Sequence, residues 1–124
     1  MIVSLFEMEA LPASEKELQQ RIVDLAREFG WMTQHVYRAR LEDGSGRTTT
    51  SSTGWPDIVA VHPGWGRVLV LELKGPKGKV EPDQERWLVA FQSVARAAPG
   101  VVHAFAVWPA DLPAVSRLLT RRHP

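Results

Sequence analysis

Two acidic side chains and one lysine occupy positions that a β-hairpin would bring together. The β-branched runs 57–62 (DIVAVH) and 67–74 (RVLVLELK) are separated by a segment rich in Gly and Pro, which predicts a hairpin. A connecting loop of two or of four residues places Asp57 directly opposite Glu72, with their Cβ atoms ~5 Å apart. Lys74 points to the same face as Glu72, because side chains alternate along a strand. The spacing therefore predicts two carboxylates and one ammonium on a single patch.

Such a patch has two interpretations. Like charges directly opposed on a hairpin are destabilising unless something compensates them. A divalent cation would do so, and hard oxygen ligands suit Mg²⁺ or Mn²⁺. Alternatively, Lys74 neutralises the two acids in a solvated salt-bridge cluster that has no function. A connecting loop of three residues would shift the register and remove the pairing altogether. The spacing alone leaves both interpretations open.

The composition excludes other classes of site. The 124-residue chain has no cysteine, which excludes disulfides and thiolate metal sites. Its four histidines are too scattered for a structural zinc site. No apolar run reaches membrane-spanning length, and the N-terminus lacks the basic segment of a signal peptide, so we expect a cytoplasmic protein. The net charge is only +1, so any affinity for nucleic acid must come from a local patch.

The remaining elements follow from periodicity and end signals. Residues 1–13 read as an N-terminal arm, and residues 14–124 as a single domain. Apolar steps of three and four predict a first helix that Ser14 and Glu17 cap. After this helix, the sequence predicts a weaker strand (31–38), a Gly- and Ser-rich loop (39–54) and the hairpin. Then come a helix from Pro82, a strand (101–108) and a last helix from Asp111. This order, α-β-β-β-α-β-α, predicts an α/β fold in which helices flank a mixed sheet.

The order of the polar motifs resembles a known group of enzymes. The segment GWPD (54–57), followed by ELK (72–74) at the end of the next strand, is similar to the motif of the PD-(D/E)XK nuclease superfamily. The downstream PDQ (82–84) and the acidic first helix narrow the resemblance to the VRR-NUC group, the virus-type replication–repair nucleases. The resemblance spans residues 15–108. It implies a restriction-endonuclease-like fold and metal-dependent hydrolysis of phosphodiester bonds in DNA.

The resemblance also implies roles for individual residues. Asp57, Glu72 and the main-chain carbonyl of Leu73 would bind Mg²⁺ or Mn²⁺, together with a glutamate of the first helix. Lys74 would orient or help deprotonate the attacking water, and the metal would activate that water and stabilise charge on the scissile phosphate. Gln84 matches the glutamine that opens the helix after the lysine strand.

Geometry bears on two of these assignments. On a helical wheel of ~100° per residue, Glu15 falls near the apolar face of the first helix and Glu17 outside it, so Glu15 is the predicted inward acid. Its alternative role is to complement the helix dipole. Gln84 falls within the apolar face of its helix, so its amide needs a polar partner. That partner is either a group at the active-site edge or a backbone group that the side chain caps. Related families have a tyrosine four residues later, where this chain has Leu88.

Other residues suit contacts to nucleic acid. Lys77 and Lys79 follow the lysine strand, and Arg40 and Arg47 lie in the 39–54 loop, where they could hold phosphates. Each alone also fits an ordinary surface charge. Trp55 suits either stacking on a base or filling the edge of the core. His62, at the far end of the hairpin from Asp57, suits a structural role.

The expected substrate is branched DNA. No basic recognition helix is apparent, so we expect selection by DNA shape, in replication, recombination or repair. Stand-alone proteins of the group that this chain resembles are associated with such structures, and a four-way junction is the preferred substrate. The arm 1–13 could pair two protomers into a two-fold homodimer. The alternatives are a general DNA-trimming nuclease, a binding module of the same fold that does not cleave, and an assembly subunit.

Overall fold

The computed structural model describes residues 10–35 and 53–122, which form three helices and four strands. The elements are α1 (Glu15–Glu28), β1 (Met32–His35), β2 (Ile58–His62), β3 (Arg67–Leu73), α2 (Pro82–Ala97), β4 (Val102–Val107) and α3 (Leu112–Thr120). A short 3₁₀ turn, Pro109–Asp111, precedes α3. This order confirms the predicted α-β-β-β-α-β-α arrangement.

The four strands form one mixed sheet in the order β1-β2-β3-β4. The β1/β2 and β2/β3 pairs are antiparallel, and the β3/β4 pair is parallel. The parallel pair needs a crossover connection, which α2 provides. The predicted mixed sheet flanked by helices is therefore confirmed.

The β2–β3 hairpin has the register that the spacing predicted. Its turn has four residues, 63–66, and its Cα partners run from His62 and Arg67 at the turn to Ile58 and Leu71 at the open end. One further step would pair Asp57 with Glu72. The ladder stops short of that pair, because Asp57 lies in a bend immediately before β2.

Helices cover both faces of the sheet. On one face, Leu18 and Ile22 of α1 and Leu119 of α3 pack with sheet residues including Leu69 and Leu71 in a single buried cluster. On the other face, α2 contributes a smaller cluster built from Leu88, Val70 and Ala104, with Val68, Val80, Phe91 and Ala106 packed against it. Side chains alternate along β3, so the position of Glu72 is on the α2 face with Val70.

The first helix begins where the sequence predicted. Ser14 is the N-cap of α1, and its hydroxyl accepts a hydrogen bond from the Glu17 N–H at 3.1 Å. The Glu17 carboxylate accepts a hydrogen bond from the N–H of Ala13, the residue before the cap, also at 3.1 Å. Both side chains thus satisfy main-chain donors at the start of the helix, as the capping prediction requires.

Several predictions concern residues outside the described ranges. The first nine residues of the N-terminal arm, the end of the predicted first strand and most of the 39–54 loop fall there, and with them Arg40 and Arg47. In the ranges 10–35 and 53–122, no helix is both long and apolar enough to cross a membrane.

Candidate active site

The motif residues meet at the edge of the sheet where β3 ends. Because β2 is antiparallel to β3, its first residue, Ile58, lies at that edge, which brings Asp57 there as well. The parallel strand β4 ends at the same edge, since Val107 pairs with Leu73. The N–H of Lys74 donates to the Val107 carbonyl at 2.9 Å and extends this pairing by one hydrogen bond. Residues far apart in sequence are therefore neighbours through sheet pairing alone.

Asp57 is held against the end of β3. Its side chain is buried, and Oδ2 accepts a hydrogen bond from the main-chain N–H of Leu73 at 2.7 Å. Within a strand, the N–H and C=O of one residue point to the same side. The Leu73 carbonyl therefore lies on the side of β3 that faces Asp57. This places a carboxylate and a main-chain carbonyl, both hard oxygen donors, beside each other.

Gln84 joins the other two motif residues. Its Nε2 donates to Glu72 Oε1 at 2.7 Å, and its Oε1 accepts from Lys74 Nζ at 2.6 Å. The same Oε1 also accepts from the N–H of Glu81 at 2.9 Å, at the start of α2. The amide thus presents its donor to the carboxylate and its acceptor to the ammonium. Gln84 has both roles that the sequence left as alternatives, because it contacts the motif residues and caps a backbone group.

The three charged side chains of the motif are buried. The exposed fractions are 2% for Asp57, 1% for Glu72 and 8% for Lys74, and Lys74 Nζ lies 3.8 Å from Glu72 Oε1. A solvated surface cluster, the alternative interpretation of the pattern, would leave these groups exposed. With both carboxylates ionised, the three side chains carry one negative charge in excess. Burying carboxylates is costly, and a cation at this edge would offset that cost.

The oxygen donors at this edge fit a hard divalent cation. Asp57 and Glu72 could supply carboxylate oxygens and Leu73 its carbonyl, which is the ligand chemistry of Mg²⁺ and Mn²⁺. Among residues 10–35 and 53–122, no three His, Asp or Glu side chains are grouped as a metal site. The candidate ligands here are thus two carboxylates and a carbonyl. Mg²⁺ commonly keeps several waters and suits such an incomplete set.

The two candidate acids of α1 differ in their surroundings. A Cβ built on Gly75 would lie 3.7 Å from the main-chain nitrogen of Glu15, so α1 begins beside the residue that follows Lys74. The Glu15 residue is exposed, and it is not grouped with Asp57 and Glu72. Glu17 instead caps the helix through the N–H of Ala13. The role of Glu15 as a metal ligand stays a prediction.

Gly54 holds the start of α2 against the segment that leads to Asp57. Its φ is +83°, and an added Cβ would lie 2.4 Å from the carbonyl carbon of Asp83 and 2.7 Å from the nitrogen of Gln84. Only glycine tolerates both this backbone conformation and this approach. The sequence marked Gly54 as part of a motif but gave no physical reason for it. That reason is a contact between segments distant in sequence, and only the fold reveals it.

Aromatic side chains support the same segment. Trp55 is half-buried and packs edge-to-face on Trp87 and Phe91, with ring centroids 4.8 and 5.8 Å apart. The indole N–H of Trp87 donates to the Thr53 carbonyl at 3.1 Å. Of its two predicted roles, Trp55 therefore has the one at the edge of the core. Leu88, in place of the related families' tyrosine, is buried in the apolar cluster and offers no hydroxyl.

The two predicted phosphate-binding lysines border this edge. Lys77 and Lys79 are exposed in the connection between β3 and α2, which follows Lys74 directly. The other two predicted residues, Arg40 and Arg47, lie outside the described ranges. The described part of the site thus has buried charges at its centre and exposed lysines beside it.

The comparisons with known proteins agree with this arrangement. The model of the VRR-NUC domain matches residues 9–103, which include every motif residue described above. Searches among curated proteins and among solved structures found no match. Because the match covers most of the sequence and contains the buried acidic edge, the chain belongs to the VRR-NUC family, the virus-type replication–repair nucleases.

Proposed function

We propose that this protein is a metal-dependent DNA endonuclease whose active site is the edge formed by Asp57, Glu72 and Lys74. The observation that carries the proposal is the burial of two carboxylates beside one ammonium, with an amide fixing two of the three groups. Such a group has an excess of negative charge that a divalent cation would neutralise. Membership of a nuclease family supports the same assignment.

In this proposal, Asp57, Glu72 and the Leu73 carbonyl hold Mg²⁺ or Mn²⁺. When bound, the cation supplies a water of lowered pKa and positive charge against the scissile phosphate. The Lys74 ammonium orients the attacking water or helps its deprotonation, by stabilising the negative charge that develops as the proton leaves to solvent. Gln84 keeps the Lys74 ammonium and the Glu72 carboxylate in fixed positions, so that neither has to reorganise when DNA binds.

The surroundings of the edge suit a phosphate backbone. The helices α1 and α2 both begin there, as the contacts of Glu15 with Gly75 and of Gln84 with Glu72 indicate. Helix N-termini present main-chain N–H groups and a positive dipole end to anions. Lys77 and Lys79 would add phosphate contacts that set position without reading sequence, and Arg40 and Arg47 would extend them.

Glu15 is proposed as a further metal ligand, reached from the start of α1 beside Gly75. Substitution separates it from Glu17. Glu15→Gln should lower cleavage more than stability. Glu17→Ala should lower the free energy of unfolding by ~0.5–1 kcal/mol through the weakened cap while cleavage persists. The opposite pattern would assign the inward acid to Glu17.

The proposed substrate is branched DNA, with a four-way junction preferred and with two protomers paired through residues 1–13. General trimming of DNA is the second candidate activity, because the described lysines would hold any phosphate backbone. Cleavage of a junction, a flap, a single strand and a linear duplex of matched sequence separates the two. Equal rates on all four, or a strict monomer at working concentration, would contradict junction selectivity without contradicting nuclease activity.

Cleavage with Mg²⁺, Mn²⁺, Ca²⁺ or EDTA tests the enzymatic proposal itself. We expect cleavage with the first two ions, and binding without turnover with Ca²⁺, which is larger and less polarising. DNA binding with no cleavage under any of these conditions would instead identify a binding module of the same fold.

A further inference from the structure

The connection that follows β3 folds back over the side chain of Lys74. The N–H of Gly78 donates to the Gly75 carbonyl at 2.9 Å and closes a tight turn. A Cβ added to Gly78 would lie 3.2 Å from both Cβ and Cδ of Lys74, closer than ordinary van der Waals contact. The backbone of this turn, residues 75–78, therefore lies directly against the aliphatic stem of the lysine.

Trp108 connects this turn to the end of β4 by a hydrogen bond. Its indole N–H donates to the Gly78 carbonyl at 2.8 Å, and its main-chain N–H donates to Asp111 Oδ2 at 2.9 Å. Trp108 directly follows β4, whose last residue, Val107, accepts the hydrogen bond from the Lys74 N–H. The backbone of Lys74 and the turn over its stem are thus both anchored at the end of β4. Trp108 lies beyond the residues that match the family domain.

We propose that Trp108 is a positioning residue for Lys74. By holding the turn 75–78 against the lysine stem, it removes the space into which the stem could rotate and keeps the ammonium at Gln84 and Glu72. A lysine side chain has several rotatable bonds, so its ammonium stays in place only when its stem is confined. This inference rests on the proposed nuclease function, because it assigns to Trp108 a share in the placement of a catalytic group.

The first test removes the indole N–H and keeps an aromatic ring. Trp108→Phe should lower kcat on DNA about tenfold, in the range found for groups that orient a catalytic side chain, with little change in KM. Trp31→Phe is the matched control, since the Trp31 indole N–H also donates to a main-chain carbonyl, that of Leu119, at 2.8 Å. Trp31 lies in the core away from the site, so its variant should keep the wild-type kcat.

The second measurement does not depend on cleavage. The modification of each lysine by an amine-reactive reagent is followed by mass spectrometry, with exposed Lys79 as the internal reference. Buried Lys74 should react slowly in the wild-type protein. Its rate relative to Lys79 should rise severalfold in Trp108→Phe and stay unchanged in Trp31→Phe. A merely space-filling Trp108 would give both variants the same Lys74 reactivity.

A third variant acts on the stem directly. Gly78→Ala places a methyl group against Lys74, whereas Gly64→Ala, the control, places one 3.3 Å from the His62 ring. Only the first should lower kcat. If Trp108→Phe matches Trp31→Phe in both kcat and labelling, the inference is overturned. If the wild-type protein does not cleave DNA, the proposed function fails, and the labelling result still decides whether Trp108 confines Lys74.

Discussion

The two ends of the β2–β3 hairpin are stabilised in different ways. At the turn end, His62 stacks on Trp65 with ring centroids 4.0 Å apart, and Trp31 packs edge-on against both rings. The Trp65 N–H donates to His62 Nδ1, so the other ring nitrogen carries the proton and donates to the Phe29 carbonyl at 2.9 Å. Stacked rings and local hydrogen bonds thus hold the turn end together, where Arg67 is also buried.

The open end of the same hairpin buries two carboxylates and an ammonium together. Asp57, Glu72 and Lys74 lie there with Gln84, almost fully withdrawn from solvent. Buried ion clusters contribute less to stability than apolar packing of similar volume, and they are sensitive to the loss of any one member. We therefore expect the turn end to contribute more to the stability of the hairpin, and the open end to contribute the proposed cation site. Substitutions at the two ends should separate these contributions.

The largest expected effect is on cleavage, from the loss of an acid. Asp57→Asn and Glu72→Gln should abolish detectable cleavage, because each removes a proposed metal ligand. Both variants should keep the fold, because an amide of the same shape replaces each carboxylate. Nuclease assays and urea denaturation check the two expectations. Asp24→Asn, at an exposed position of α1, is the control. Undiminished cleavage by the purified acid variants would rule out this site.

Loss of the ammonium comes next. Lys74→Ala should lower kcat by ~10²–10⁴, the usual contribution of a positioned acid–base group. It removes the ammonium that lies beside the buried Glu72 carboxylate, so we expect a loss of about 3 kcal/mol of stability in EDTA. Lys79→Ala, at an exposed position, should lower kcat and the free energy of unfolding much less. Normal turnover at saturating DNA with greatly weakened binding would make Lys74 a binding residue.

The bridging amide should have a smaller effect. Gln84→Ala removes the hydrogen bonds that the amide makes with the Lys74 ammonium and the Glu72 carboxylate. This loss should cost ~1–3 kcal/mol and lower kcat ~10–100-fold. Gln92→Ala is a matched control on the same helix, because the Gln92 amide donates to the Ala104 carbonyl at 2.9 Å away from the site. Equal loss of activity in both variants would show that the loss comes from a general disturbance of α2 and not from the bridging amide.

Alanine substitutions at two glycines, one near each end of the hairpin, compare the two ends most directly. Gly54 and Gly66 both have positive φ, at +83° and +67°. Alanine at Gly66, in the turn, meets nothing within 4 Å and should cost only the backbone penalty, ~1–2 kcal/mol. Gly54→Ala adds a contact with the backbone of α2 at 2.4 Å, so it should cost more and displace Gln84. Similar stability and activity in the two variants would contradict the positioning role of Gly54.

Much of this arrangement could be predicted because its signals are local. Apolar periodicity, turn residues and capping side chains indicated the order of the elements, and a four-residue loop was one of the two lengths that gave the observed register. The helical wheel showed that Gln84 needed a polar partner, since its neighbours on the helix face are apolar. The sequence could not show how Gly54 meets α2 or how Trp108 reaches Gly78. These contacts join segments that only the tertiary fold brings together.

The most direct test of the central claim is whether a divalent cation binds at the open end of the hairpin. Thermal unfolding is measured with and without Mn²⁺ for the wild-type protein, Asp57→Asn and the control Asp24→Asn. At a Mn²⁺ concentration ~100 times its dissociation constant, binding should stabilise the wild-type and control proteins by ~2.7 kcal/mol. Asp57→Asn should show little or no such gain. Equal stabilisation of all three proteins, or none in the wild-type protein, would contradict the account.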